Sequence, residues 1–287
     1  MSTSSQVQLA SPAPSTAPKR IGIIAGQGDF PLLLAQAARS NGVEVIVFAI
    51  KGFANPDIGK HADQVLPVEL GQLNRTIQLM HENGIRAISM AGRVPHTSVL
   101  QYRHFDARAM KLLAKSLNRK ADSLLNAVAA EFSSEGIEVL DSSLFLKSLM
   151  PEPGLLTATR QLTTDEQENV EFGYPIAKVV AGQDIGQTLV VKDRIVVAVE
   201  GLEGTDKCIA RAGDLAGAGC VVIKVSKPSQ DMRFDVPVIG PGTIASMKSA
   251  GCTALALSAR ECLLLHREQI LADADAAAIA ITAIAPR

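Results

Sequence analysis

Between Lys224 and Thr243 the chain reads K-V-S-K-P-S-Q-D-M-R-F-D-V-P-V-I-G-P-G-T, placing Lys224, Lys227 and Arg233 among Asp231 and Asp235 between apolar segments. Val221, Val222 and Ile223 predict a buried strand just before it, and Pro228, Pro237, Gly240, Pro241 and Gly242 forbid a helix through it. The charges therefore belong to a loop or short extended backbone at a strand end. Acids and bases gathered there suit a metal ion and a phosphate, and a solvated connection is the plainer alternative. A second acidic group, Glu200, Glu203 and Asp206 in E-G-L-E-G-T-D, opens a helix that Thr205 or Asp206 would cap. Three carboxylates this close repel one another unless a cation or a lysine lies among them. Together with Asp231 and Asp235 they form a hard-oxygen set better suited to Mg²⁺ than to zinc, and Lys224, Lys227 and Arg233 would hold the phosphate charge, arginine through its bidentate fork.

The other features are weaker. Gly26-Gln27-Gly28 resembles the opening of a dinucleotide fingerprint, in which backbone N–H groups approach a phosphate at a helix N-terminus. Pro31 replaces the third glycine, and F-A-I-K-G stands where a ribose-binding acid would close the second strand, which argues against a nicotinamide cofactor and a dehydrogenase. His61, His81, His96, His104 and His266 show no metal-ligand spacing, although His96 follows Gly92-Arg93-Val94-Pro95 at a predicted strand end. Arg119-Lys120-Ala121-Asp122 reads as a solvated helix start. No serine sits in a nucleophile elbow and no cysteine has a local basic partner, so water is the expected attacking group.

The elements that must carry these residues follow from periodicity. Ile21–Ala25, Val43–Ala49 and Ile85–Ala91 predict strands, alternating with helices over Leu32–Ser40 and Leu70–Glu82. This is the pattern of a Rossmann-like parallel sheet wrapped by helices, whose ligands sit at the strands' carboxyl ends, here Gly26 to Asp29, Lys51 to Asn55 and Gly92 to His96. Helices at about 106–117 and 120–135 and a strand at Ile137–Leu140 complete an N-terminal domain over 19–150. The prolines and glycine of Met150-Pro151-Glu152-Pro153-Gly154 predict a linker, placed at 151–163. A mixed α/β domain over 164–287 would follow, with a polar helix from Thr164, a hairpin around Lys192-Asp193-Arg194, strands near Val221, Ala254 and Ala278, and helices near Thr205, Thr243 and His266.

Composition narrows the classes. The chain has 287 residues and a formal charge of −1, with two Tyr, eight Phe and no Trp, which supplies neither the charge nor the stacking surfaces of a nucleic-acid binder. Cys208, Cys220, Cys252 and Cys262 lie in apolar surroundings without zinc spacing and predict a buried, reduced set. Residues 1–18, rich in Ser, Ala, Pro and Gln, predict a disordered tail rather than a signal peptide, which places the protein in the cytoplasm. No apolar run is long enough to span a bilayer, so membrane contact would be peripheral.

Taken together, I-I-A-G-Q-G-D-F-P, M-A-G-R-V, V-E-G-L-E-G-T-D and K-P-S-Q-D-M-R-F-D-V-P-V-I-G-P-G-T resemble the LpxI-type UDP-2,3-diacylglucosamine pyrophosphatase family, from about Ile21 to the C-terminus. The resemblance implies Mg²⁺-dependent hydrolysis of UDP-2,3-diacylglucosamine to UMP and 2,3-diacylglucosamine 1-phosphate (lipid X) in lipid A biosynthesis. It also implies two domains with the lipid held between them, and an amphiphilic substrate that brings the protein to the inner membrane at most peripherally. It carries over Glu203, Asp206 and Asp235 as the motif acids and Arg233 as the motif base; the reaction then asks for Mg²⁺ held by Asp235 with Asp206 or Glu203, and for catalysis by Asp235, Arg233 and Lys227. Gly26, Gln27, Gly28, Gly92, Arg93, Lys224 and Thr205 are the expected substrate contacts. A non-catalytic nucleotide-sugar or lipid-binding α/β protein is the rival reading, and a homo-oligomer is compatible with either.

Overall fold

Short apolar runs of β-branched residues, each closed by a glycine turn or a helix, dictate the first sheet. A computed structural model of the chain describes residues 17–94, 105–116 and 121–285. Residues 1–16 of the expected tail, Pro95, His96, His104, Arg119 and Lys120 lie outside the described residues, as does the side chain of Asp122. The described residues divide into two compact units: one runs to Ser148 and includes Met232–Phe234, and the other takes Leu149–Asp231 and the chain from Asp235 onward.

In the first unit, β1 (Arg20–Ala25), β2 (Glu44–Ile50), β3 (Gln64–Val68), β4 (Ala87–Ala91) and β5 (Glu138–Val139) form a parallel sheet in the order β3-β2-β1-β4-β5. The chain reverses its direction of growth between β1 and β4, which is where such sheets leave a crevice at their carboxyl ends. Strand alternation sends Ile46, Phe48, Ile50 and Ile88 to one face. There they pack with Ile77 and Met80 of α2 (Leu73–Glu82) and with Ala129 and Phe132 of α4 (Ala121–Ser134). Helix α1 (Phe30–Ser40) packs on β1, β2 and β4, while α3 (Ala107–Ser116) lies against α2 and α4. Periodicity did not predict β3, because Pro67 lies inside it; as an edge strand it has no inner ladder for the missing N–H to break.

The second unit holds a mixed sheet in the order β6-β13-β11-β9-β7-β8. Its strands are β6 (Gly154–Leu155), β7 (Thr188–Lys192), β8 (Ile195–Val199), β9 (Val221–Lys224), β11 (Ala254–Ser258) and β13 (Ala280–Ile284). The β9, β11 and β13 ladders are parallel, whereas β7 runs antiparallel to both β8 and β9. Asp193 and Arg194 both adopt positive φ, 51° and 57°, the backbone that closes a tight hairpin between β7 and β8. A separate parallel pair joins β10 (Val238–Ile239) to β12 (Leu263–Leu264). Residues 154–155, within the stretch expected to be a linker, pair antiparallel with β13 as an edge strand.

Helices cover both faces of this second sheet. Helix α5 (Thr164–Gly182) starts at a capping box between Thr163 and Glu166 and packs Val170, Tyr174 and Ala177 on Leu189, Val191, Val221 and Ile223. Helices α6 (Thr205–Ala216), α7 (Pro241–Ser249) and α8 (Arg267–Ala276) cover Val190, Val222, Leu255 and Ile281. The four cysteines are buried free thiols in this unit, and burial pushes Cys208 up to about 11 and Cys252 and Cys262 up to about 12, so none is a thiolate nucleophile near neutral pH. No helix of the described residues is long and apolar enough to cross a membrane.

Candidate functional site

Lys224 is the last residue of β9 and is only 6% exposed, a position an ammonium occupies only with partners. The pairing Thr188↔Lys224 puts the first residue of β7 beside it, and Glu200 follows directly on β8. Lys224 Nζ donates to Thr188 Oγ1 at 3.0 Å and Thr205 Oγ1 at 2.8 Å, and lies 3.3 Å from Glu200 Oε2. Thr205 Oγ1 in turn donates to Glu200 Oε1 at 2.9 Å, and the Gln187 N–H reaches Glu200 Oε2 at 3.3 Å. Burial pushes the Glu200 carboxyl up, but the Lys224 charge and the hydroxyls of Thr188 and Thr205 outweigh it and hold the group below the ordinary glutamate range. A lysine at the end of β9 and a glutamate just past β8, on either side of β7, thus share two threonine hydroxyls in a closed network.

A second cluster follows on the loop after β9. Lys227 Nζ lies 2.5 Å from Asp184 Oδ1 and 3.7 Å from Asp235 Oδ2. Gln187 Nε2 donates to Asp235 Oδ2 at 2.6 Å, and Gln230 Nε2 donates to the Asp235 carbonyl oxygen. The Asp235 side chain remains 43% exposed, against 12% for Lys227. Because Gln187 touches both Glu200 and Asp235, the two clusters form one site at the carboxyl ends of β8 and β9. Formally it holds two lysines, Lys224 and Lys227, against three carboxylates, Asp184, Glu200 and Asp235, a net charge of −1.

Several expectations change here. The N-cap of α6 is Gly204, at φ 85° and without a side-chain cap, so Thr205 does not cap its helix; its hydroxyl serves Lys224 and Glu200 instead. Glu203 turns to Arg211 at 2.5 Å and to the Gly201 N–H at 3.1 Å, and the hydrogen bond from Arg211 lowers its carboxyl from the usual value. Asp206 is exposed on the first turn of α6. Asp235, Asp206 and Glu203 therefore do not make the expected metal triad, and no three His, Cys, Asp or Glu side chains among the described residues group so as to hold a metal ion. A Mg²⁺ ion that keeps its waters and takes phosphate oxygens needs only one or two carboxylates, and half-exposed Asp235 has that character.

Arg233 counts with the first unit: its guanidinium donates to Asn126 Oδ1 at 3.2 Å and lies 4.7 Å over the Phe234 ring. In that unit the structure gathers Gly26, Gln27, Gly28, Gly92 and Arg93 at the β1 and β4 ends. They bind one another: Gly26 N–H donates to Ala91 O at 2.8 Å, Gln27 N–H to Arg93 O at 2.9 Å, and Arg93 N–H to Gln27 O at 3.1 Å. These N–H groups are thus not free for a phosphate, contrary to the expectation from the glycine turn. Gly26 and Gly92 are explained by the close approach, since a Cβ on Gly92 would sit 2.7 Å from Gln27 O and one on Gly26 2.9 Å from Arg93 O. Gly28 has φ 94° and open space where a Cβ would lie.

Comparison with known proteins fixes the family. The model of the LpxI N-terminal domain matches residues 20–149, and that of the LpxI C-terminal domain matches residues 152–282. This chain belongs to the LpxI family. A Caulobacter vibrioides protein named UDP-2,3-diacylglucosamine pyrophosphatase LpxI is 28% identical over 283 residues, covering 94% of this chain and 99% of that protein. Solved structures are far more distant. The biotin carboxylase domain of a thermophilic 2-oxoglutarate carboxylase bound to ADP is 16% identical with a TM-score of 0.26, over 60% of this chain and 34% of that one. The N5-carboxyaminoimidazole synthetase from Staphylococcus aureus complexed with ADP is 15% identical with a TM-score of 0.24, over 60% of this chain and 36% of that one. The chain thus spans about a third of the length of these structures, and a likeness of that size carries no inference for an LpxI chain.

Sequence reasoning passed over Gln187, Thr188 and Asp184. A neutral amide, a strand threonine and an aspartate after a helix carry no local signature, and their charged partners Asp235, Lys224 and Lys227 lie 36 or more residues away.

Proposed function

We propose that this LpxI-family chain hydrolyses the pyrophosphate bond of UDP-2,3-diacylglucosamine, releasing UMP and 2,3-diacylglucosamine 1-phosphate for lipid A biosynthesis. The observation that carries this reading is the match of both LpxI domains across the chain, joined to a 28% identical relative named for that reaction. The lysine and carboxylate site at the ends of β8 and β9 supplies suitable chemistry. In the reaction a water oxygen forms a new bond to phosphorus, the bond to the bridging oxygen breaks, and the leaving phosphate takes the electron pair while the water's proton passes to solvent. Lys227 and Lys224 stabilise the charge that develops on the phosphoryl oxygens and the leaving phosphate, the larger share of the catalytic task in phosphoryl transfer. Asp235 orients the water.

The site's net charge of −1 opposes an incoming diphosphate, which favours an added cation. Asp235 is the residue that would hold Mg²⁺, which when bound polarises phosphoryl oxygens and lowers the pKa of a coordinated water. Substrate acyl chains would bring the protein to a membrane surface peripherally.

The test is incubation of the purified chain with UDP-2,3-diacylglucosamine and Mg²⁺, with and without chelator, following UMP by chromatography. UMP release that chelator abolishes is expected, together with at least about a hundredfold loss of kcat in a folded Asp235→Ala variant. No UMP with any divalent cation would sink the hydrolase reading. Turnover that survives chelation would remove the metal.

A further inference from the structure

The turn between α5 and β7, Asp184-Ile185-Gly186-Gln187, touches both clusters of the site. Asp184, at φ 60°, holds Lys227. Gly186 lies so close to the end of β8 that a Cβ there would overlap the Glu200 carbonyl oxygen. Gln187 makes three bonds to three segments: its carbonyl accepts from the Val225 N–H at 2.9 Å, its own N–H donates to Glu200, and its side-chain amide donates to Asp235. We propose that Gln187 is a positioning residue for the hydrolysis: through its side-chain amide it sets which oxygen of Asp235 faces the reaction. This rests on the hydrolase reading above.

The contacts converge on one atom. Gln187 Nε2 at 2.6 Å, Gln230 Nε2 at 3.4 Å and Lys227 Nζ at 3.7 Å all reach Asp235 Oδ2. Oδ1 is thereby left, among the described residues, as the oxygen for a water or a cation. At 2.6 Å the amide makes the shorter of the two hydrogen bonds, while Lys227 is beyond hydrogen-bond reach and engaged with Asp184. A neutral donor fixes the carboxylate without cancelling its charge, so the charge is retained for the exposed oxygen. The backbone of Gln187 is itself fixed on both sides by Val225 and Glu200, which makes the amide a rigid rather than adaptable donor.

The experiment compares the full chain with Gln187→Met, which keeps length but has no donor, and Gln187→Glu, which keeps shape but sets a like charge against Oδ2. Steady-state hydrolysis of UDP-2,3-diacylglucosamine is expected to show kcat lowered about a hundredfold in Gln187→Met by the misplaced carboxylate. KM should stay within about threefold, and Gln187→Glu should give no rescue. Crystal structures of both variants should show the Asp235 carboxylate rotated from its place in the parent. A kcat within about threefold of the parent in Gln187→Met, a Gln187→Glu variant restored to parent rates, or an unmoved Asp235 carboxylate would each overturn the proposal. The crystallographic arm needs no turnover, so it still reads the positioning if the parent itself releases no UMP, the separate outcome that defeats the hydrolase reading.

Discussion

Glu200 and Lys224 show how a charged pair is kept at a strand end. Their side chains are 13% and 7% exposed, so each charge depends on the other and on the two threonine hydroxyls. Removing one partner of such a pair leaves the other buried and unpaired, at a cost of about 3 kcal/mol or more. Glu200→Gln is therefore expected to destabilise the fold by about that amount at neutral pH, as measured by chemical denaturation. The pH dependence follows from the sign of the shift. A carboxyl held below its ordinary value in the folded state contributes stability that is complete above the ordinary glutamate value and is lost as pH falls through the depressed one. The gap between parent and Glu200→Gln should accordingly narrow over that acidic window, and a gap independent of pH would remove the ion pair as its cause. At this scale the sequence was readable where residues carry charge in a run: Lys224, Lys227 and Asp235 all came from one stretch. The choice between Glu200 and Glu203 was not, because it depends on Arg211 drawing Glu203 away along α6.

Helix α5 is the element whose closeness to the sheet sets the position of the loop after β9. Its Lys178 donates to the Ser226 carbonyl at 3.0 Å and Oγ at 2.8 Å, and Asp184 just beyond its end holds Lys227. The helix sits low because Gly173 faces the strands: a Cβ there would overlap Ile223 Cδ1 and come within 2.7 Å of Val191 Cγ2. Alanine is the better helix former by about 1 kcal/mol, but overpacking against a fully buried sheet costs about 1–3 kcal/mol. Val191 is stiff at χ1 and cannot swing aside, so the overlap wins. Gly173→Ala is expected to lower stability by about 1 kcal/mol despite its helix propensity, measured as a reduced denaturation midpoint; a raised midpoint would show that the helix lifts freely. Periodicity located this helix from Thr164 and most of the larger strands, since each buries a face of recognisable spacing. It did not find β3, with Pro67 inside it, or the two-residue strands β6, β10 and β12, which are too short to show a period and exist through their neighbours.

At the scale of the whole chain, the break expected near Met150 falls close to the boundary between the two units, but neither unit is a simple run of residues. Met232, Arg233 and Phe234 complete the first one. Phe234 packs against its core cluster, the Ser142 N–H donates to Met232 O at 2.9 Å, and the fully buried Ser142 hydroxyl lies 2.8 Å from Arg233 O. A fragment ending at Ser148 would leave that N–H without its acceptor, at a cost of about 1–3 kcal/mol before the lost packing is counted. Hydrogen exchange at β4 and around Ser142 is expected to be faster in this fragment than in the whole chain, and equal protection would show that the three residues add nothing. Synthesis on the ribosome gives the same arrangement a temporal meaning. The amino-terminal sheet emerges first yet lacks its last side chain until most of the second sheet's strands have followed, so its final consolidation must await sequence that belongs mainly to its neighbour.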